Sequence, residues 1–156
     1  PDKLFLAIIL GSDQGRKIYK KKIQRLVEQY RLIQDIVFID NFKNMPLAYK
    51  ISDIVTSCSI EPESFGRVAI EAQAMKKVIV ASDIGGSKET IIDNKTGFLF
   101  KAGDAIALSD KLTHIFELDE TTLKSMGNEG RKNVINKFNV DKMCFSTYSE
   151  YKKLIS

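Results

Sequence analysis

"DIVTSCSIEPESFGRVAIEAQAMKKVIVAS", residues Asp53 to Ser82, decides the fold. The apolar stretch Asp53–Ser57 predicts a strand, Phe65-Gly66 opens a helix predicted to run from Gly66 to Met75, and Val78–Ser82 predicts a second strand. A strand, a helix and a strand in this order form a parallel crossover unit. The alternation extends in both directions. "LFLAIIL", Leu4 to Leu10, is a continuous apolar run closed by Gly11, as expected of a strand buried on both faces. Apolar residues at Ile18, Ile23, Leu26, Val27, Tyr30 and Ile33 fall near helical spacing. Ile36–Ile39 reads as a strand, Met45–Ile51 as a short helix and Gly97–Phe100 as another strand. From Asp104 onward the pattern is helical, with breaks expected near Asp119, Gly127–Gly130 and Asn139.

The predicted class is α/β: a Rossmann-like doubly wound parallel sheet, helices on both faces, with additional C-terminal helices. Such sheets bind ligands beyond the carboxyl ends of their strands. Gly11–Gly15, Asp40–Asn44, Ser57–Gly66 and Ser82–Ser87 all lie at predicted strand ends and are expected to line one crevice.

A chain of 156 residues suits one domain, here 1–156, and its three prolines mark no linker. The net charge of +4 comes from scattered lysines, apart from "RKIYKKKIQR" (Arg16 to Arg25). On a helix that cluster spreads around the polar side, and no RNA-binding signature accompanies it, so no nucleic-acid partner is expected. Cys58 and Cys144 lie far apart without a CxxC pattern, which suits free thiols better than a disulfide. His114 is the only histidine and sits in a helical pattern. That argues against a histidine-dependent metal site and against a Ser-His-Asp triad. No acidic cluster has metal-ligand spacing, so no metal and no cofactor are expected. Without a signal-peptide pattern or a membrane-spanning run, a cytoplasmic location is expected, with the lysine-rich faces able to meet the inner face of an anionic membrane.

Arg67 in the first turn of a helix is unfavourable, because the macrodipole is positive there, by about 0.3–1 kcal/mol. A bound anion would resolve the conflict. The free N–H groups of that turn form an anion site, and Gly66, lacking a Cβ, lets a ligand approach closely. The plainer alternative is an i,i+4 ion pair between Arg67 and Glu71, in the weaker base-before-acid order. "GSDQG", Gly11 to Gly15, fits neither GxGxxG nor the Walker pattern and reads as a tight strand-to-helix turn ahead of a phosphate loop.

Glu63 and Glu71 invite comparison with a glycosidase acid/base pair. Were both helical, their eight-residue spacing would separate them by roughly 12 Å along the axis, beyond the approximately 5–9.5 Å such mechanisms use. With Glu63 in the loop they flank the helix start instead. A carboxylate can accept hydrogen bonds from a vicinal diol, so two of them beside an anion site suit a phosphate with a polyol on each side, the pattern of a nucleotide sugar.

"EPESFGRVAIEAQAM" followed by "VIVASDIGGSKETIIDNKTGFLF" resembles the donor-binding, C-terminal half of retaining GT-B glycosyltransferases of family 4, the glycosyl transferases group 1. The resemblance runs from Leu4 to the final helix and includes the GG-x-x-E loop of Gly85, Gly86 and Glu89. It implies that Glu63 holds hydroxyls of the transferred sugar and is the catalytic-site carboxylate, orienting rather than acting as a base. It also implies that Glu71 holds the nucleotide ribose. The backbone of Phe65, Gly66 and Arg67 would lie by the sugar and diphosphate. Ile39 would flank the base, and Gly11 would line the donor cleft.

The implied activity is hexosyl transfer, with retention, from a UDP- or GDP-sugar to an acceptor in cell-surface polysaccharide, lipopolysaccharide or glycolipid synthesis. The resemblance also implies a first strand–helix unit, a basic pair clamping the diphosphate, and an N-terminal domain binding the acceptor saccharide or lipid, all upstream of this chain. The isolated chain is then expected to be inactive. A nucleotide-sugar epimerase and a non-catalytic nucleotide- or sugar-binding module are the alternatives. Departures from the family pattern are Lys76 in place of glycine, where a less tight turn is expected, Val78 in place of proline, Lys88 before Glu89, and Asp40 in place of a glycine after the second strand.

Overall fold

A computed structural model describes residues 5–11 and 15–155. The chain divides into two compact units, residues 1–45 and 46–156. In the first, β1 (Ala7–Leu10) and β2 (Ile36–Ile39) pair in parallel, Ala7 opposite Ile36, joined by α1 (Lys17–Gln29). The remainder of the predicted Leu4–Leu10 strand gives way to irregular chain at Phe5 and Leu6, and Leu4 lies outside the described residues, as does the Ser12–Gln14 stretch of the first loop. Burial of β1 on both faces is corrected, since Ile8 and Ile9 are 40 % and 39 % exposed; β2 is its one neighbour among the described residues. The helical reading to Ile33 is also too long. Arg31 takes a left-handed φ of 58°, and the Leu32 N–H turns back to Val27 O at 2.9 Å. The basic cluster lies on an exposed face, as expected, with Lys20 paired to Asp40.

The second unit holds α2 (Met45–Ile51), which begins at the boundary, then β3 (Ile54–Ser57), α3 (Arg67–Ala74), β4 (Val78–Ser82), α4 (Ser87–Thr90), β5 (Phe98–Phe100), α5 (Ala105–Glu117), α6 (Glu120–Lys137) and α7 (Val140–Ile155). Strands β3, β4 and β5 form a parallel sheet with β4 in the centre, Ile54 opposite Val78 and Val80 opposite Phe98. All five residues of β4 are buried, as a continuous apolar run between two neighbours requires. Val78, Val80, Phe98, Phe100, Ile115 and Met126 form the core, where α5 and α6 pack on the sheet. Asp104 and Asp119 cap α5 and α6 by accepting from the N–H groups of Ala107 and Thr122. The break at Asp119 is therefore real, and so is the one before α7, where Asn139 Oδ1 accepts from Lys142 N.

The expected break at Gly127–Gly130 is not there: α6 runs through both glycines. They are contact points instead. A Cβ on Gly127 would lie 2.2 Å from Lys76 O, and one on Gly130 would lie 3.1 Å from Gln73 Cγ. The glycines let α6 cross α3 at backbone contact, which outweighs their poor helix propensity.

Lys76 is also corrected. Its turn is as tight as a glycine's: φ is +59°, the Lys76 N–H donates to Gln73 O at 3.0 Å, and the Lys77 N–H donates to Ala72 O at 2.9 Å. This paired arrangement is a Schellman motif with a lysine in its left-handed position. Arg131 donates to Ala74 O in the same last turn, where a cation also suits the helix dipole.

Candidate functional site: a carboxylate pair around the start of α3

The site begins where β3 ends. The chain leaves Ser57, loops through Glu63 and enters α3 at Gly66, whose φ of 71° and ψ of 57° are left-handed. A Cβ at Gly66 would meet nothing nearer than Ser87 N at 3.6 Å. Glycine is thus favoured here by backbone conformation rather than by crowding. Gly66 offers no side chain to cap the helix. Gly66 O accepts from Ala69 N and Ile70 N at 3.0 and 3.4 Å. Among the described residues, nothing accepts from the N–H groups of Gly66, Arg67 and Val68. Three donors at the positive end of a helix give a place for an anion.

A second pair of glycines holds the loop. Gly86 donates its N–H to Glu63 O at 2.8 Å. Gly85 has φ +52°, and a Cβ there would lie 2.5 Å from Glu63 O, while one on Gly86 would lie 2.4 Å from Phe65 C. The β4–α4 loop therefore touches the β3–α3 loop backbone to backbone. This joins two of the four loops expected to share a crevice. Gly11 and Ile39 belong to the first unit, at the ends of β1 and β2, where Gly11 N donates to Ile39 O at 3.2 Å.

Glu63 lies in the loop, with Ser59 Oγ donating to its Oε1. Glu71 is held on both oxygens: Arg67 Nη2 donates to Oε1 at 3.1 Å, and the Tyr49 hydroxyl donates to Oε2 at 2.8 Å. The i,i+4 pair weighed from the sequence is therefore formed. The Arg67 side chain is 84 % exposed, so water screens the pair and it adds little stability. Phe65 is half exposed, its ring edge-on to Phe138 at 5.8 Å, just past the end of α6. Glu89 is exposed on α4, and Lys88 reaches Asp83 at 3.8 Å.

Sequence reasoning missed Tyr49, which is 5 % exposed, and a buried polar network behind the site. Gln73 Nε2 donates to Ala69 O and Thr90 O at 3.1 and 2.9 Å, Asn133 Nδ2 donates to Thr90 O at 3.0 Å, and Thr90 Oγ1 donates to Gly86 O at 2.8 Å. These bonds tie α3 and α6 to the glycine loop. A glutamine among the alanines of "AIEAQAM" is the one local sign of such a network. Among the described residues no His, Cys, Asp and Glu side chains gather as a metal site, and no helix is long and apolar enough to cross a membrane. Cys58 and Cys144 are both free.

The model of glycosyl transferases group 1 matches residues 3–133. The capsular polysaccharide biosynthesis glycosyltransferase CapM of Staphylococcus aureus is 26 % identical, over 80 % of this chain and 40 % of its own length. A glycosyltransferase from Rickettsia africae ESF-5 superposes with a TM-score of 0.91 at 35 % identity, covering 97 % of this chain and 40 % of that one. The fold of Anabaena HepE, solved with UDP and glucose, matches with a TM-score of 0.88 at 23 % identity, over 95 % of this chain and 40 % of its own. The chain thus spans about two-fifths of these relatives' length, in the Rossmann-like C-terminal half of a GT-B architecture. With a family model matching residues 3–133, the chain belongs to the glycosyl transferases group 1 family.

Proposed function

We propose that this chain is the donor-binding domain of a retaining, family 4 glycosyltransferase that moves a hexose from a nucleoside diphosphate sugar to an acceptor. The observation that carries the proposal is the start of α3, where three open N–H groups lie between Glu63 in the loop and Glu71 on the helix. The diphosphate would take the N–H groups of Gly66, Arg67 and Val68. Glu71 would accept from ribose hydroxyls and Glu63 from hydroxyls of the sugar. As the nucleoside diphosphate departs from an oxocarbenium-like carbon, charge grows on its oxygens, and preoriented N–H groups stabilise it without reorganising. Glu63 orients the sugar and moves no proton. This chemistry needs no metal.

The chain covers about two-fifths of its relatives' length, which supports a further domain in the intact protein; in the proposed reading that domain binds the acceptor, and a basic pair upstream completes the diphosphate clamp. The proposed setting is cytoplasmic synthesis of a cell-surface polysaccharide or glycolipid, the acceptor being a saccharide or a lipid at the inner membrane face. CapM's role in capsular polysaccharide biosynthesis supports that setting.

The two glutamates separate in experiment. In the intact protein, Glu71→Ala weakens nucleoside diphosphate binding by about 1–3 kcal/mol, the cost of a lost charged acceptor. Glu63→Ala leaves that affinity unchanged and lowers the rate of sugar transfer. Calorimetry with the nucleoside diphosphate and a turnover assay check both; equal loss of nucleotide affinity in the two variants contradicts the assignment.

A further inference from the structure

The hydroxyl of Tyr49 stands apart from the rest of its side chain. The ring is packed in the interior, 5 % exposed, while its oxygen reaches a carboxylate whose side chain is 35 % exposed. Helix α2 fixes the ring's origin. Ser52 Oγ donates to Tyr49 O at 2.9 Å, and Lys77 Nζ donates to Lys50 O at 3.0 Å, so the helix end is tied to its own next turn and to the segment before β4. Burial, and then the hydrogen bond to Glu71, push the Tyr49 phenol well above its ordinary range. It stays protonated and serves as a permanent donor.

The consequence falls on Glu71. A carboxylate offers about four acceptor positions, two on each oxygen. Tyr49 occupies one on Oε2 and Arg67 one on Oε1. Among the described residues one position remains on each oxygen, and the plane of the group is set by donors from two helices. Two open acceptors on a locked carboxylate match two neighbouring hydroxyls. The Arg67 bond alone would not lock it, since that side chain is largely in solvent.

We infer that Tyr49 is a positioning residue for nucleotide recognition: its hydroxyl orients Glu71 so that both carboxylate oxygens meet the vicinal 2′- and 3′-hydroxyls of the donor ribose. This rests on the proposed role of Glu71 and adds to it the residue that sets its geometry.

The test pairs a protein change with a ligand change. Intact wild-type protein and Tyr49→Phe are titrated calorimetrically with UDP and GDP, each beside its 2′,3′-dideoxy form, and thermal unfolding is measured on the same samples. Wild type should favour the tighter-binding ribonucleotide over its dideoxy form. Tyr49→Phe, which keeps the ring, should lose about fivefold to tenfold in affinity for the ribonucleotide and nothing for the dideoxy form. Equal losses for both ligands would show a merely structural role and overturn the inference, as would an unchanged preference. Should wild type itself bind both forms alike, or bind neither base, the Glu71 assignment fails and the inference with it. Should the variant fail to fold, the ¹³Cζ resonance of Tyr49 in wild type decides. It is expected to shift with the ribonucleotide and not with the dideoxy form, and equal shifts would overturn the inference.

Discussion

Gly127→Ala is expected to destabilise the domain by about 3 kcal/mol, because the new methyl meets backbone at a point where neither partner can yield. Its Cβ would lie 2.2 Å from Lys76 O and 2.9 Å from Lys76 C. Lys76 is already in a left-handed conformation, closing α3 with two backbone hydrogen bonds. Moving it away breaks that closure, and moving α6 away opens the contact at Gly130 and strains the buried bonds of Asn133. Alanine's better helix propensity returns only about 1 kcal/mol, so crowding wins. Chemical denaturation should show the loss, with a melting temperature lower by roughly 10 °C in a domain of this size. A variant as stable as wild type would mean that α6 does not cross α3 at backbone contact.

Gly86→Ala is expected to act on the site more than on stability. The added Cβ would fall 2.4–2.6 Å from the C, Cα and O atoms of Phe65. Here φ is −60°, so alanine carries no backbone strain and all of the effect is steric. The Glu63 loop can move outward, which limits the loss of stability to about 1–3 kcal/mol. That movement breaks the Gly86 N–H to Glu63 O bond and carries Glu63 and the entry to α3 with it. A displacement of about 1 Å at positioned groups lowers turnover roughly 100-fold. Turnover and thermal unfolding measured together check this; full activity in a folded Gly86→Ala protein would detach the glycine loop from the site.

These two glycines also show what local sequence can carry. The β4 strand and the helix after Gly66 were legible, since a buried central strand and a short helix announce themselves in a window of a few residues. Gly127 and Gly130 were misread as a break because a glycine that ends a helix and one that admits a neighbour look the same locally. The difference lies in Lys76 and Gln73, some fifty residues away. Lys76 misled in the opposite direction: lysine suggests a relaxed turn, yet the left-handed turn persists because the Schellman bonds and the α6 crossing hold it.

At the site, Glu63, Gly66, Arg67 and Glu71 were legible because they lie in one loop and the helix it enters. The residue that locks Glu71 was not. Tyr49 stands 22 positions earlier, in a helix whose own pattern gives its hydroxyl no role. Burial of β1 was overestimated for a related reason: an apolar run reports what a strand can bury, while its neighbours decide what it does bury.

A crystal structure of the intact protein with a bound nucleoside diphosphate tests the central claim most directly. The account predicts diphosphate oxygens about 2.9 Å from the N–H nitrogens at the start of α3, those of Gly66, Arg67 and Val68. It also predicts the ribose hydroxyls on Glu71, with Tyr49 still bound to Oε2. A diphosphate seated elsewhere, with those N–H groups facing only water and Glu71 holding only Tyr49 and Arg67, would contradict it.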